Sequence, residues 1–246
     1  MRGLPGDSES GENPIMPNNL TEIISKNELP WGARSSILVF VISILSILLP
    51  SLFLPELTLN ESKQYFIAEA IFPIPFLVFF YYWLNKKKIQ RKEIGLCLPN
   101  SNILLVTLVA IMIAAIFKGI DFVLFFGSIT ELNWSKFSII DGPLFAVSSG
   151  IGRVIITPFM EELVYRGVIY GYLRSKLSWQ VGLILQALIF TMVHPNAYQG
   201  NLDIIIFYFA FGLGFGGLYQ FYRSLYPAVV CHGALNYFDA TIQVVS

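Results

Sequence analysis

From Ser35 to Val245 the chain is a succession of apolar runs, sixteen to thirty-one residues long, joined by short polar connections. They are Ser35–Leu54, Tyr65–Leu84, Ile103–Gly127, Pro143–Leu173, Trp179–His194, Leu202–Phe221 and Leu225–Val245. About 20 apolar residues cross a hydrocarbon core of about 30 Å. Only helices and closed barrels satisfy the backbone there, and these runs are too long for barrel strands of about 9–11 residues. Charged residues make up 13% of the chain and hydrophobic ones 55%, against about 25% charged in a soluble domain. The expected fold is all-α, a polytopic transmembrane helical bundle of seven to eight spans.

The first 34 residues are rich in Gly, Pro, Asn, Ser and Glu and are expected to lack fixed structure. Residues 35–246 are expected to form one transmembrane domain. The first 34 residues do not resemble a cleavable signal peptide. The net charge is zero and no basic patch points to nucleic acid. Cys97 and Cys231 lie far apart, which implies neither a disulfide framework nor a thiolate metal site.

The number of spans turns on Pro143–Leu173, which is long for one crossing and contains Pro158, a residue that removes a backbone donor and kinks or splits a helix. Basic residues mark the cytoplasmic side. The loop after the second run holds Lys86, Lys87, Lys88, Arg91 and Lys92, so this loop and the amino terminus are expected in the cytoplasm of a multi-pass cell-membrane protein. One crossing by Pro143–Leu173 places eleven Lys and Arg inside and two outside; splitting it gives eight and five. Charge counting therefore favours a single kinked crossing. Small residues recur four apart at Ser148 and Gly152, Gly167 and Gly171, and Gly212 and Gly216, a spacing that lets helix backbones approach. The string Gly212–Gly217 matches GxGxxG, but no strand precedes it and helix packing explains it better.

Ionisable groups at membrane depth are costly and mark function or tight packing. Glu162 and Arg166 are four apart and share a helix face, so they can pair. Glu161 is rotated about 100° from that face. A carboxylate left without that partner is a candidate general base. The chain has two histidines. His194 shares a face with Phe190, and His232 with Asn236. Each alone reads as a structural histidine, but a bundle core is where side chains of separate helices converge.

EExxxR at Glu161–Arg166, FxxxH at Phe190–His194 and HxxxN at His232–Asn236, in that order on successive apolar segments, resemble the family of intramembrane CAAX-processing and bacteriocin-processing endopeptidases, which includes the type II CAAX prenyl endopeptidase. The resemblance covers roughly residues 143–246. It implies a peptide hydrolase with a helical fold, usually of eight spans, acting on a peptide or protein at the membrane, a prenylated carboxy-terminal peptide among the candidates. By motif, Glu161 would activate water, His194 would help hold it, and Arg166 would orient Glu161 and Glu162. His232 and Asn236 would stabilise the oxyanion. The cofactor is either absent or a divalent metal such as zinc, for which Glu161, His194 and His232 would be the ligands. No HExxH spacing selects the metal, and the metal-free version uses each group once.

Two other classes compete. In an ion-coupled transporter the buried Glu, Arg and His would form a relay, joined by Lys118, Asp121, Arg153 and Asp239. In a non-catalytic membrane partner or immunity protein they would be structural glue. Depth raises a further point. At about 1.5 Å per residue His194 falls roughly 12 Å from the middle of its run, whereas Glu161 lies near the middle of its own. Their meeting requires the helix to continue past His194 and Pro195–Asp203 to dip into the protein, as backbone lining a water-filled cavity can.

Overall fold

Seven helical rods are present among the described residues of the computed structural model, which are 29–54, 61–121, 123, 131–132, 148–194 and 202–243. The polar segment before residue 29, the beginning of Pro143–Leu173 and most of Pro195–Asp203 lie outside them. α1 is Ala33–Phe53. α2 comprises Glu61–Phe66, a π-helical turn Ile67–Ile71 and Pro73–Lys87. α3 is Ile103–Asp121. α4 runs through Ser148–Ile156, Thr157–Glu162, Leu163–Tyr170 and Gly171–Lys176. α5 is Trp179–Met192, α6 Leu202–Tyr222 and α7 Tyr226–Thr241. A two-residue antiparallel pairing joins Glu131–Leu132 to Ile242–Gln243.

α1, α2, α3 and α6 contain stretches long and apolar enough to cross a membrane. Their outer faces stay apolar: Val78, Leu104 and Leu108 are all more than half exposed. An apolar exterior on this scale suits lipid, and the protein is a helical membrane protein. α4 is different. Every residue from Met160 to Gly171 is buried, including Glu161, Glu162 and Arg166. Over that stretch the charges do not meet lipid, because the protein buries every residue of it.

Pro158 does not break α4. Ile156, Glu162, Leu163, Tyr170 and Gly171 all have right-handed helical torsions, and the chain instead alternates between π and α hydrogen bonding. Pro158 has no N–H to offer the Val154 carbonyl one turn back. That carbonyl lies directly against Gly233 of α7, so the missing donor is used to seat a neighbouring helix. The small-residue pairs pack as their spacing predicts. A side chain at Gly212 would lie 2.9 Å from the Ala187 Cα, and one at Gly152 would lie 2.7 Å from the Glu69 Cβ. The GxGxxG string lies wholly within α6 and serves helix packing.

Side-chain pairs fix the helix directions. α3 meets α7 through Thr107 and Tyr226 at 2.7 Å and through Lys118 and Asp239 at 2.7 Å. Both pairs advance together along the sequence, so α3 and α7 run parallel. Phe40 and Ser46 of α1 contact Tyr165 and Met160 of α4 in reverse order, so those two helices are antiparallel. The parallel α3–α7 pair is the arrangement expected if α4 crosses once. An eighth helix, as the family resemblance implied, is not present among the described residues. One end of the bundle is tied together by Leu225 N–H to Gly95 O at 2.9 Å and Ser224 Oγ to Cys97 O at 2.5 Å. Trp31 joins the same end, buried with its ring 6.0 Å from Trp83 and its edge beside Gly171.

Candidate active site

Glu162, Arg166 and His232 form a buried chain of polar contacts. Arg166 Nη1 donates to Glu162 Oε1 at 2.8 Å, and His232 Nδ1 meets the same oxygen at 2.9 Å. Arg166 Nη2 donates to the Gly212 carbonyl at 3.2 Å, which Gln186 Nε2 also reaches at 2.8 Å. The guanidinium lies 4.6 Å from the Phe190 ring centroid and 5.1 Å from that of Phe215, where cation–π attraction is strongest because water is excluded. Arg166 and Glu162 are both fully buried. The missing side chain at Gly212 lets α6 close on α5, and the one at Gly233 lets α7 close on α4, which brings these groups together.

Glu161, one residue round the helix, points elsewhere. Its Oε2 lies 3.7 Å from His194 Nε2 and 3.8 Å from His232 Nε2, beyond hydrogen-bond length, and makes no hydrogen bond among the described residues. The partners of the opposite ring nitrogens assign the tautomers. His194 Nδ1 faces the Phe190 carbonyl at 2.6 Å; a carbonyl only accepts, so Nδ1 carries the hydrogen. His232 Nδ1 faces a carboxylate already held by Arg166, so it too is the donor. In their neutral forms both rings therefore turn a bare Nε2 toward Glu161. Three proton acceptors, from α4, from just past the end of α5 and from α7, converge with no donor among them.

They form part of the wall of a cavity of about 350 Å³, which Arg153, Asn236 and Asp239 also line. Asn236 Nδ2 donates one hydrogen to the Arg153 carbonyl at 3.0 Å, leaving its second free for another acceptor. All six motif residues thus gather at or beside one cavity. His194 reaches it for a reason that hydropathy misses. α5 does not continue past His194 but ends at Met192. At fourteen residues it is about 21 Å long, shorter than the membrane core, so its carboxy-terminal end lies at the level of Glu161. Any dip by Pro195–Asp203 falls outside the described residues.

The sequence reading missed several lining residues. Glu69, in the π-turn of α2, accepts from Thr157 Oγ1 at 3.1 Å and lines the cavity. A lone carboxylate inside an apolar run was its signal. Phe215 stacks on His232 at 4.7 Å and 14°, and Tyr208 lies 4.8 Å from His194; nothing in their sequence context marks them. Lys118 bonds Asp121 and Asp239 at 2.8 and 2.7 Å, so the cations available to a relay are partly neutralised. One carboxylate and two imidazoles are the donor class of a catalytic zinc, but among the described residues no three His, Cys, Asp or Glu side chains are arranged to hold a metal ion.

Residues 143–238 match the family model described as Type II CAAX prenyl endopeptidase Rce1-like. The protein named "Putative membrane peptidase YdiL" of Bacillus subtilis (strain 168) is 27% identical over 90 residues, 37% of this chain and 35% of that one. The alignment thus spans about a third of the relative's length. No solved structure matches the chain. Both matches support, over the part of the chain that carries the three motifs, the resemblance to CAAX-processing membrane peptidases.

Proposed function

We propose that the protein is an intramembrane endopeptidase that hydrolyses a peptide bond with a water activated by Glu161, without a metal. The observation that carries this reading is the convergence of Glu161 Oε2, His194 Nε2 and His232 Nε2 as acceptors with separations of 3.7 and 3.8 Å. A water has two protons to share among them, and in doing so turns a lone pair toward the cavity.

In the proposed reaction the water oxygen attacks the substrate carbonyl carbon while Glu161 takes one water proton. The tetrahedral oxyanion accepts from the free hydrogen of Asn236. Glu161 then returns its proton to the amide nitrogen, the C–N bond breaks, and an amine and a carboxylic acid leave, the acid then giving its proton to water. His194 positions the water. His232 can donate to the oxyanion only after Nε2 takes a proton from solvent in the cavity, and the Glu162 carboxylate at Nδ1 stabilises that imidazolium, as a buried carboxylate does for the histidine of a serine-protease triad. Positioned donors to an oxyanion are typically the largest catalytic term. The substrate is a peptide or protein at the membrane.

A cleavage assay in proteoliposomes, with a mixed library of membrane-inserted peptides read by mass spectrometry, tests the proposal. Removing a general base costs about 10²–10⁴ in rate, so Glu161→Gln and His232→Ala should each abolish detectable hydrolysis. Cleavage at the wild-type level that survives both substitutions refutes the proposed site.

A further inference from the structure

The cavity and the positive charge of this protein lie at opposite ends of the bundle. The end tied by Gly95, Cys97 and Ser224 carries the basic cluster of residues 86–92 together with Arg34, Arg174, Lys176 and Arg223. α4 runs from Arg153 at the cavity to Lys176 at this basic end, and α2 runs the same way, from Lys63 to Lys87. Twenty-four residues separate Lys63 from Lys87, roughly 35 Å along a helix. Among the described residues the opposite end keeps Lys63, Arg153 and a Lys118 already paired with two aspartates.

The route from the triad to the basic end is closed. Arg166, Tyr170, Tyr219 and Gln186, stacked between them, are all at most 2% exposed. On the other side Arg153 is exposed, and the Asp239 side chain, which lines the cavity, is 45% exposed. Lysine and arginine in short loops stay on the cytoplasmic side of a membrane. We infer that the cavity opens toward the extracytoplasmic face, and that the segment it receives is an exported peptide or the outward-facing part of a membrane protein, rather than a cytosolic carboxy-terminal peptide. The direction of opening follows from charge and helix direction; the substrate class rests in addition on the peptidase reading proposed above.

The full chain produced in bacterial cells provides two tests. The first uses a membrane-impermeant maleimide on intact and permeabilised cells. Native Cys97, exposed at the basic end, should label only after permeabilisation, and Lys87→Cys should behave likewise. Lys63→Cys and Arg153→Cys, each in a Cys97→Ser background, should label in intact cells. Labelling of Cys97 in intact cells, with positions 63 and 153 protected, overturns the direction of opening. The second test supplies a water-soluble peptide library to right-side-out and to inverted vesicles of the same membranes. At least tenfold more Glu161-dependent hydrolysis in right-side-out vesicles is expected, and the reverse ratio overturns the substrate class. Absence of hydrolysis in both would refute the peptidase reading, while labelling would still decide the direction.

Discussion

Replacing Arg166 with Met keeps the length of the side chain and removes its charge, and the structure sets the cost. Arg166 and Glu162 are both fully buried and 2.8 Å apart. Breaking a buried pair by removing one partner costs about 3–5 kcal/mol, because the remaining charge is stranded. The Gly212 carbonyl keeps Gln186 as a donor, and Glu162 keeps His232. These surviving partners place the expected loss at the lower end, about 3 kcal/mol, to which lost stacking on Phe190 and Phe215 adds. For a chain of this size about 1 kcal/mol moves the Tm by about 2–4 °C, so Arg166→Met should lower it by about 6–12 °C. Thermal unfolding of the purified protein in detergent, followed by tryptophan fluorescence, measures the shift. Glu162→Gln in the same protein removes the stranded charge and should restore at least half of the loss. A shift below 2 °C, or a double variant whose loss is the sum of the two single losses, would refute the claim that this pair is a mutually dependent buried unit.

Other outcomes follow from the same geometry. Gly212→Ala places a methyl group 2.9 Å from the Ala187 Cα; it should cost about 1–3 kcal/mol by overpacking, seen in the same melt, and reduce hydrolysis because Arg166 loses its carbonyl anchor. Cys231 is buried beside His232 but on another face of α7, so Cys231→Ala should leave the hydrolysis rate within about twofold of wild type; a thousandfold loss would point to a thiol nucleophile. Dialysis against a strong chelator should leave hydrolysis intact, whereas loss restored by added zinc would overturn the metal-free mechanism.

Much of this was legible in the sequence where one physical demand dominates. Lipid requires apolar residues on every outward face, so Ser35–Leu54 and Leu202–Phe221 forecast α1 and α6 to within two residues. α4 obeys a different demand. Its stretch from Met160 to Gly171 is encased by protein, so the charges there survive, and it is legible from the spacing of Glu161, Glu162 and Arg166 rather than from hydropathy. Its π-helical turns leave no periodic signature; the first ends two residues before Pro158, and Gly233 of α7 lies against its Val154 carbonyl. His194 was misplaced in depth because a fourteen-residue helix need not be centred in the membrane. Glu69 went unnoticed since its partners, Gly152 and Thr157, are more than eighty residues away in sequence. The tautomers of both histidines are likewise set by tertiary contacts and could be read only from the fold.

The central claim is that Glu161 activates the water that cuts a peptide bond. Its most direct test compares the new protein amino termini in membranes from cells carrying the wild-type chain or Glu161→Gln at equal abundance, identified by terminal-peptide mass spectrometry. The account predicts a set of termini present with the wild type and absent with Glu161→Gln. The same set of termini appearing with both proteins would contradict it.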